Sequence, residues 1–261
     1  MKTVQEFRIM KKENKRISIV TCYDYWSARI IDESNVDAVL VGDSGAMVMH
    51  GYPTTINATV EMMCNHTASV RRGTDKFIIT DIPFLAHKKG EEELFRSVDV
   101  LMKAGSNAIK IEAADGNIEL IKNIISSGVP VMGHLGLTPQ SINKFGGFKL
   151  QGTDKISSNK ILNDAKKLET AGCFSIVLEV VPSLLAKSIT EKLKIPTIGI
   201  GAGKYTSGQV LVLQDLLGLS KNFSPKFLRK YLNGYDIILE ALNNYSSDVK
   251  QRTFPGKEES Y

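Results

Sequence analysis

Lys110 and Glu112 stand two residues apart in the apolar run Ala108-Ile109-Lys110-Ile111-Glu112. Along an extended strand alternate side chains face the same way, so the two charges share one face and Ile109 and Ile111 the other. An ammonium and a carboxylate on the inner face of a buried strand form either a structural ion pair, costly to desolvate, or a functional pair. Asp43 and Asp81 close two earlier runs of the same kind. With Glu112 they offer hard oxygen ligands, of which Mg²⁺ takes one or two beside water and substrate oxygens. No Cys/His set has zinc spacing. Glu179 ends Ile176-Val177-Leu178, a position that suits a general base. His134, in Gly133-His134-Leu135-Gly136, reads equally as pocket lining or as a partner for a carbonyl.

Each of these residues also has a plain structural reading. Asp43-Ser44 could cap a helix, Asp81 could be a turn residue ahead of Pro83, and Glu179 could be a solvated strand exit before Pro182. The glycine-rich stretch Ile198 to Lys204 is neither a P-loop nor a dinucleotide fingerprint. It reads as a tight turn or as a place where backbone meets ligand. The stretch from Asn143 to Ser158 reads as a mobile lid or as a long surface loop.

These residues need a scaffold that brings strand ends together. Short Val- and Ile-rich runs recur at Ile17–Tyr23, Ala38–Gly42, Phe77–Asp81, Ala108–Glu112, Val129–His134, Ser175–Glu179, Thr197–Gly201 and Val210–Leu213. They lack polar alternation, as strands buried on both faces of a parallel sheet do. Between them lie helical segments with proper ends: Thr59 to Arg72, one opened by Glu91 and closed by Gly105, Asn117 to Ser127, and Asn159 to Ala171. Ala104 to Glu112 echoes Ala171 to Glu179 as helix end, glycine, strand and terminal glutamate. About eight such units predict a (β/α)₈ TIM barrel, with the active site at the C-terminal strand ends. A doubly wound open sheet competes, without an intact nucleotide fingerprint.

Composition agrees. With 261 residues, 43% hydrophobic, 23% charged and a net charge of +5, the chain is neither disordered nor strongly basic. The run Lys11 to Arg16 reads as a solvated turn, so nucleic acid is not an expected partner. Three cysteines without a CxxC pair suit a reducing cytosol. No apolar stretch is long enough for a membrane span, and the N-terminus has no apolar signal region.

Several segments, in order, resemble the ketopantoate hydroxymethyltransferase family. They are Thr21 to Asp24, Val41 to Ser44, His66 to Gly73, Asp81 to Phe84, Ile109 to Glu112, Gly133 to Gln140, Phe145 to Gly147, Glu179 with Val181-Pro182, and Ile198 to Gly203 with Gly208-Gln209. The resemblance implies a single barrel domain over residues 1–261, of the phosphoenolpyruvate/pyruvate type. It also implies a cytoplasmic homodecamer, a pentamer of dimers, acting in pantothenate biosynthesis. By the same resemblance Asp43, Asp81 and Glu112 bind Mg²⁺, and Asp43, Ser44, Asp81 and Lys110 contact a 2-oxo acid. Glu179 is the proton acceptor, and 5,10-methylenetetrahydrofolate is the one-carbon donor. The chain departs from the family pattern at Gly45-Ala46, Tyr52 to Thr55 and Ser207, all beside the matched site positions. Related 2-oxo acid lyases are the competing class, but their Lys-Lys-Cys-Gly-His loop is absent.

Overall fold

The computed structural model describes residues 3–261. Eight parallel strands close into one barrel in chain order. They are β1 Ile17–Thr21, β2 Ala38–Val41, β3 Phe77–Asp81, β4 Ala108–Glu112, β5 Val131–Gly136, β6 Ser175–Glu179, β7 Thr197–Ile200 and β8 Gly208–Leu211. The predicted barrel is therefore the observed one. Strand eight starts two residues earlier than the apolar run and ends before Val212, because Gly208 pairs with Ile17 on one side and Ile198 on the other.

The helices are α1 Val4–Lys12, α2 Tyr25–Glu33, α3 Gly45–Val48, α4 Val60–Gly73, α5 Glu91–Lys103, α6 Ile118–Ser126, α7 Ile142–Phe145, α8 Lys155–Thr170, α9 Ser183–Lys192, α10 Leu213–Leu216 and α11 Gly234–Gln251. Thr59 caps α4 by accepting from Met62 N. Helix α8 begins four residues before the expected Asn159. Asp154 accepts from Ile156 N and Ser157 N there and forms a capping box with Ser157, a start signal outside the apolar pattern. That helix and α7 take up both ends of the stretch read as a lid or loop.

No helix separates β7 from β8. The short link holds itself instead: Gln209 Nε2 donates to Gly203 O at 2.9 Å and to Thr206 Oγ1 at 2.8 Å. Gly203 has φ +76°, and a Cβ there would stand 2.2 Å from Ser183 Oγ. The glycine-rich stretch is thus a tight turn packed on α9.

Inside the barrel, Ile17, Ile19, Leu40, Ile79, Met132, Val177, Ile198 and Val210 form a continuous core. Phe7 of α1 joins it, edge-on to Phe77 at 5.4 Å and to Phe174 at 5.1 Å, with no exposed surface. The run Lys11 to Arg16 is exposed apart from half-buried Lys11, as expected, and two of its cations are tied to backbone carbonyls. Lys11 Nζ donates to Thr190 O and Ile195 O, each at 2.8 Å, and Arg16 donates to Thr206 O at 2.5 Å.

Two compact units divide the chain, Met1–Val212 and Leu213–Tyr261. The first contains the whole barrel. In the second, α11 carries Tyr235, Ile238, Leu242, Tyr245 and Val249 at helical spacing, all exposed. Among the described residues no helix is long and apolar enough to cross a membrane.

Candidate active site

Strand register assembles the site. Asp81, the last residue of β3, pairs with Lys110 on β4. Glu112 pairs with His134 on β5, and Gly136 with Glu179, the last residue of β6. Asp43 follows β2 by two residues, and Ser44 precedes α3. Lys110 and Glu112 lie on the face that Ala108 presents to the barrel core, as alternation predicts. Asp24 stands apart as the N-cap of α2, accepting from Ser27 N at 2.9 Å.

A chain of short contacts runs across the strand ends. Lys110 Nζ lies 3.1 Å from Asp81 Oδ1, 3.2 Å from His134 Nδ1 and 4.0 Å from Glu112 Oε1. His134 Nδ1 is 3.3 Å from Glu112 Oε1, and its Nε2 is 3.2 Å from Glu179 Oε2. An ammonium can only donate, so Nδ1 accepts from Lys110 and the ring proton sits on Nε2, facing Glu179. Glu179 is the open end of the chain: its side chain is 15% exposed, against 3–5% for His134 and Glu112.

Burial governs the charges. It raises the Glu112 carboxyl to about 7, although Lys110 and the Gln140 N–H oppose the shift. Asp43 is raised well above the ordinary carboxylate range by burial and then by the charges of Asp81 and Glu112. Asp81 is raised too, with Lys110 holding it down. For Lys110, burial pushes downward, but Asp81, Glu112 and Asp43 together outweigh it and keep the ammonium charged. His134 is lowered by burial and by Lys110, against the pull of Glu179, and so stays neutral.

Two residues outside the expected set complete the arrangement. Gln140 Nε2 donates to Asp43 Oδ2 at 2.8 Å and to Ile82 O at 2.9 Å, while Gln140 N donates to Glu112 Oε2 at 3.1 Å. Tyr23, fully buried, shares a 2.8 Å hydrogen bond with Ser44 Oγ. Gln140 lies in the Thr138-Pro139 helix start, and Tyr23 ends an apolar run, so each carried a sufficient structural explanation in the sequence. Ser44 takes the N-cap position of α3 that the sequence allowed, but neither it nor Asp43 makes a side-chain cap hydrogen bond there.

The donor set fits a hard divalent cation. Asp81 Oδ1 and Glu112 Oε1 are buried without a well-formed hydrogen bond, while the second oxygen of each is tied to a backbone N–H. Among the described residues no three His, Cys, Asp or Glu side chains are already gathered around one point. Mg²⁺ does not require that, because water and substrate oxygens fill most of its octahedron. Gly42 keeps this space clear: a Cβ there would stand 2.9 Å from Ser44 Oγ and 3.6 Å from Asp81 Oδ2. Ala113 and Val180, directly after Glu112 and Glu179, hold φ of +65° and +46°. For a β-branched residue this is a strained conformation, of a kind concentrated at functional sites.

Comparison with known proteins gives the family. The family model for ketopantoate hydroxymethyltransferase matches residues 1–257. A Bdellovibrio bacteriovorus protein named 3-methyl-2-oxobutanoate hydroxymethyltransferase is 53% identical, with all of both chains covered. One of the same name from Coxiella burnetii is 56% identical over 96% of this chain and 95% of its own. Among solved structures, phosphonopyruvate hydrolase in complex with oxalate and Mg²⁺ has a TM-score of 0.63 at 10% identity, covering 99% of this chain and 93% of that one. A 2,3-dimethylmalate lyase of the phosphoenolpyruvate mutase/isocitrate lyase superfamily has a TM-score of 0.61 at 14% identity, covering 100% and 92%. These two likenesses show the shared barrel fold. The chain belongs to the ketopantoate hydroxymethyltransferase family and is an enzyme, a hydroxymethyl-group transferase.

Proposed function

We propose that the chain transfers a hydroxymethyl group from 5,10-methylenetetrahydrofolate to 3-methyl-2-oxobutanoate, giving 2-dehydropantoate, in the cytoplasm as a step of pantothenate biosynthesis. The observation that carries this reading is the buried chain Asp81–Lys110–His134–Glu179, which ends on a carboxylate open to solvent. Asp43, Asp81 and Glu112 are the residues that would hold Mg²⁺. When bound, Mg²⁺ supplies positive charge to the keto oxygen and carboxylate of the substrate. Lys110 adds a second positive charge where negative charge builds on that oxygen. Ser44, held by Tyr23, donates to the substrate carboxylate. Glu179 removes the proton from C3 as the substrate carbon becomes nucleophilic.

C3 then bonds to the methylene carbon, whose bonds to the folate nitrogens break. The folate returns as tetrahydrofolate. The product carries CH₂OH where the donor carried CH₂, so one water is consumed and supplies the hydroxyl oxygen. His134, neutral and with Nε2 3.2 Å from Glu179 Oε2, lies against the Glu179 carboxylate on its buried side.

The direct test is deuterium exchange at C3 of 3-methyl-2-oxobutanoate in D₂O, followed by proton NMR with and without Mg²⁺. Mg²⁺-dependent exchange is expected, and tetrahydrofolate is added to the same tube to cover a requirement for folate. Glu179→Gln should abolish exchange while Mg²⁺ and 2-oxo acid binding persist. Full exchange in that variant removes Glu179 as the base.

We assign the same protein to a homodecamer, a pentamer of dimers. The exposed apolar stripe of α11 supports assembly, since a helix face of that kind is usually covered.

A further inference from the structure

We infer that Gln140 is a positioning residue for the cation site: its side-chain amide ties one oxygen of Asp43 and its backbone N–H one oxygen of Glu112, which orients both carboxylates for a divalent ion. The inference rests on the proposed role of Asp43, Asp81 and Glu112 as ligands.

Gln140 lies in a short 3₁₀ turn, Pro139–Ser141, directly beyond β5, and is 5% exposed. Three of its hydrogen bonds reach three other strand ends. One goes to Asp43 beyond β2, one to Ile82 O beyond β3, and one from its backbone to Glu112 on β4. Both partners of Nε2 are acceptors, so the amide orientation is settled by chemistry: the NH₂ group faces them and gives one proton to each.

The consequence falls on the carboxylates. Asp43 and Glu112 each accept one bond from Gln140, and Asp81 Oδ2 accepts from Asp43 N at 3.0 Å. Asp81 Oδ1 and Glu112 Oε1 are left buried and without a well-formed hydrogen bond. Mutual repulsion should turn neighbouring buried carboxylates apart, and donors on their outer oxygens oppose that. A ligand that must rotate before it binds loses affinity for the ion, and partners that fix ligand orientation recover it. Fastening the 3₁₀ turn to the barrel would need only the bond to Ile82 O. The side-chain bond onto Asp43 goes beyond that need.

The test is calorimetric titration of Mg²⁺ into the full-length protein after chelator treatment, without substrates. Gln140→Met keeps the side-chain length and the backbone N–H but removes the amide donors. Gln140→Asn keeps an amide that is one methylene too short to span to Asp43. Both variants should bind Mg²⁺ about 10- to 100-fold more weakly. In both, excess Mg²⁺ should restore the C3 exchange rate close to that of the parent. A Kd within twofold of the parent in a folded variant overturns the inference. So does weakened binding with exchange that saturating Mg²⁺ fails to restore, since that marks a disordered site. Having two variants keeps the test open should one of them fold poorly. If the parent itself binds no divalent ion, the ligand reading fails first and takes this inference with it.

Discussion

Lys110 is the residue on which the charges of the site balance. Among the described residues it is the one cation inside the cluster formed by Asp43, Asp81 and Glu112, and it stays charged only because those carboxylates outweigh its burial. Removing one partner of such a set leaves charge buried without compensation. Lys110→Met should therefore cost roughly 3–5 kcal/mol of stability. Urea denaturation of metal-free protein measures this, and a loss below about 1 kcal/mol would show that the carboxylates simply take up protons instead. The same variant should lose C3 exchange, because no side-chain cation remains near the developing charge.

Among the elements, α1 and the connection from β3 to α5 each make a separable contribution. Phe7 is the part of α1 that fills the barrel core against Phe77 and Phe174. Phe7→Ala should destabilise the fold by about 3–5 kcal/mol, the usual cost of emptying an aromatic core position. Thermal unfolding reads this out, and unchanged C3 exchange at low temperature would place the effect in the scaffold. In the β3–α5 connection, His87 is buried and its Nδ1 has no partner. Burial, followed by the neighbouring charge of Lys88, lowers its pKa from 6.5 to about 4. The unfolded chain therefore takes the proton first, and stability is lost as pH falls from about 6.5 to about 4. His87→Gln should flatten that part of the stability–pH curve, and an unchanged slope would assign the loss to other groups.

For the whole molecule the decisive surface is that of α11. The stripe Tyr235, Ile238, Leu242, Tyr245 and Val249 leaves α11 with an apolar face in water. Sedimentation velocity should find about ten copies of the 28.7 kDa chain. Leu242→Asp with Tyr245→Asp should shift the protein to smaller species. A monomer in the parent, or an unchanged decamer in the variant, would each remove α11 from the assembly.

Much of the barrel was legible in the linear sequence. Apolar runs of four to seven residues without polar alternation mark strands buried on both faces, and their spacing counts eight. The strand-end positions of Asp81, Lys110, Glu112, His134 and Glu179 follow from the same pattern, since alternation decides which side chains face inward. Boundaries were less legible. The early start of α8 depended on Asp154, a cap lying outside the apolar period, and the missing helix between β7 and β8 on a turn held by Gln209. Gln140 and Tyr23 could not be found in this way at all. Their function lies in hydrogen bonds spanning 97 and 21 residues of chain, and nothing local distinguishes a glutamine in a 3₁₀ turn from one that steadies two carboxylates. Composition and period determine which elements form. Only closure of the barrel decides which polar groups meet, because it alone brings distant strand ends within hydrogen-bond reach while excluding water.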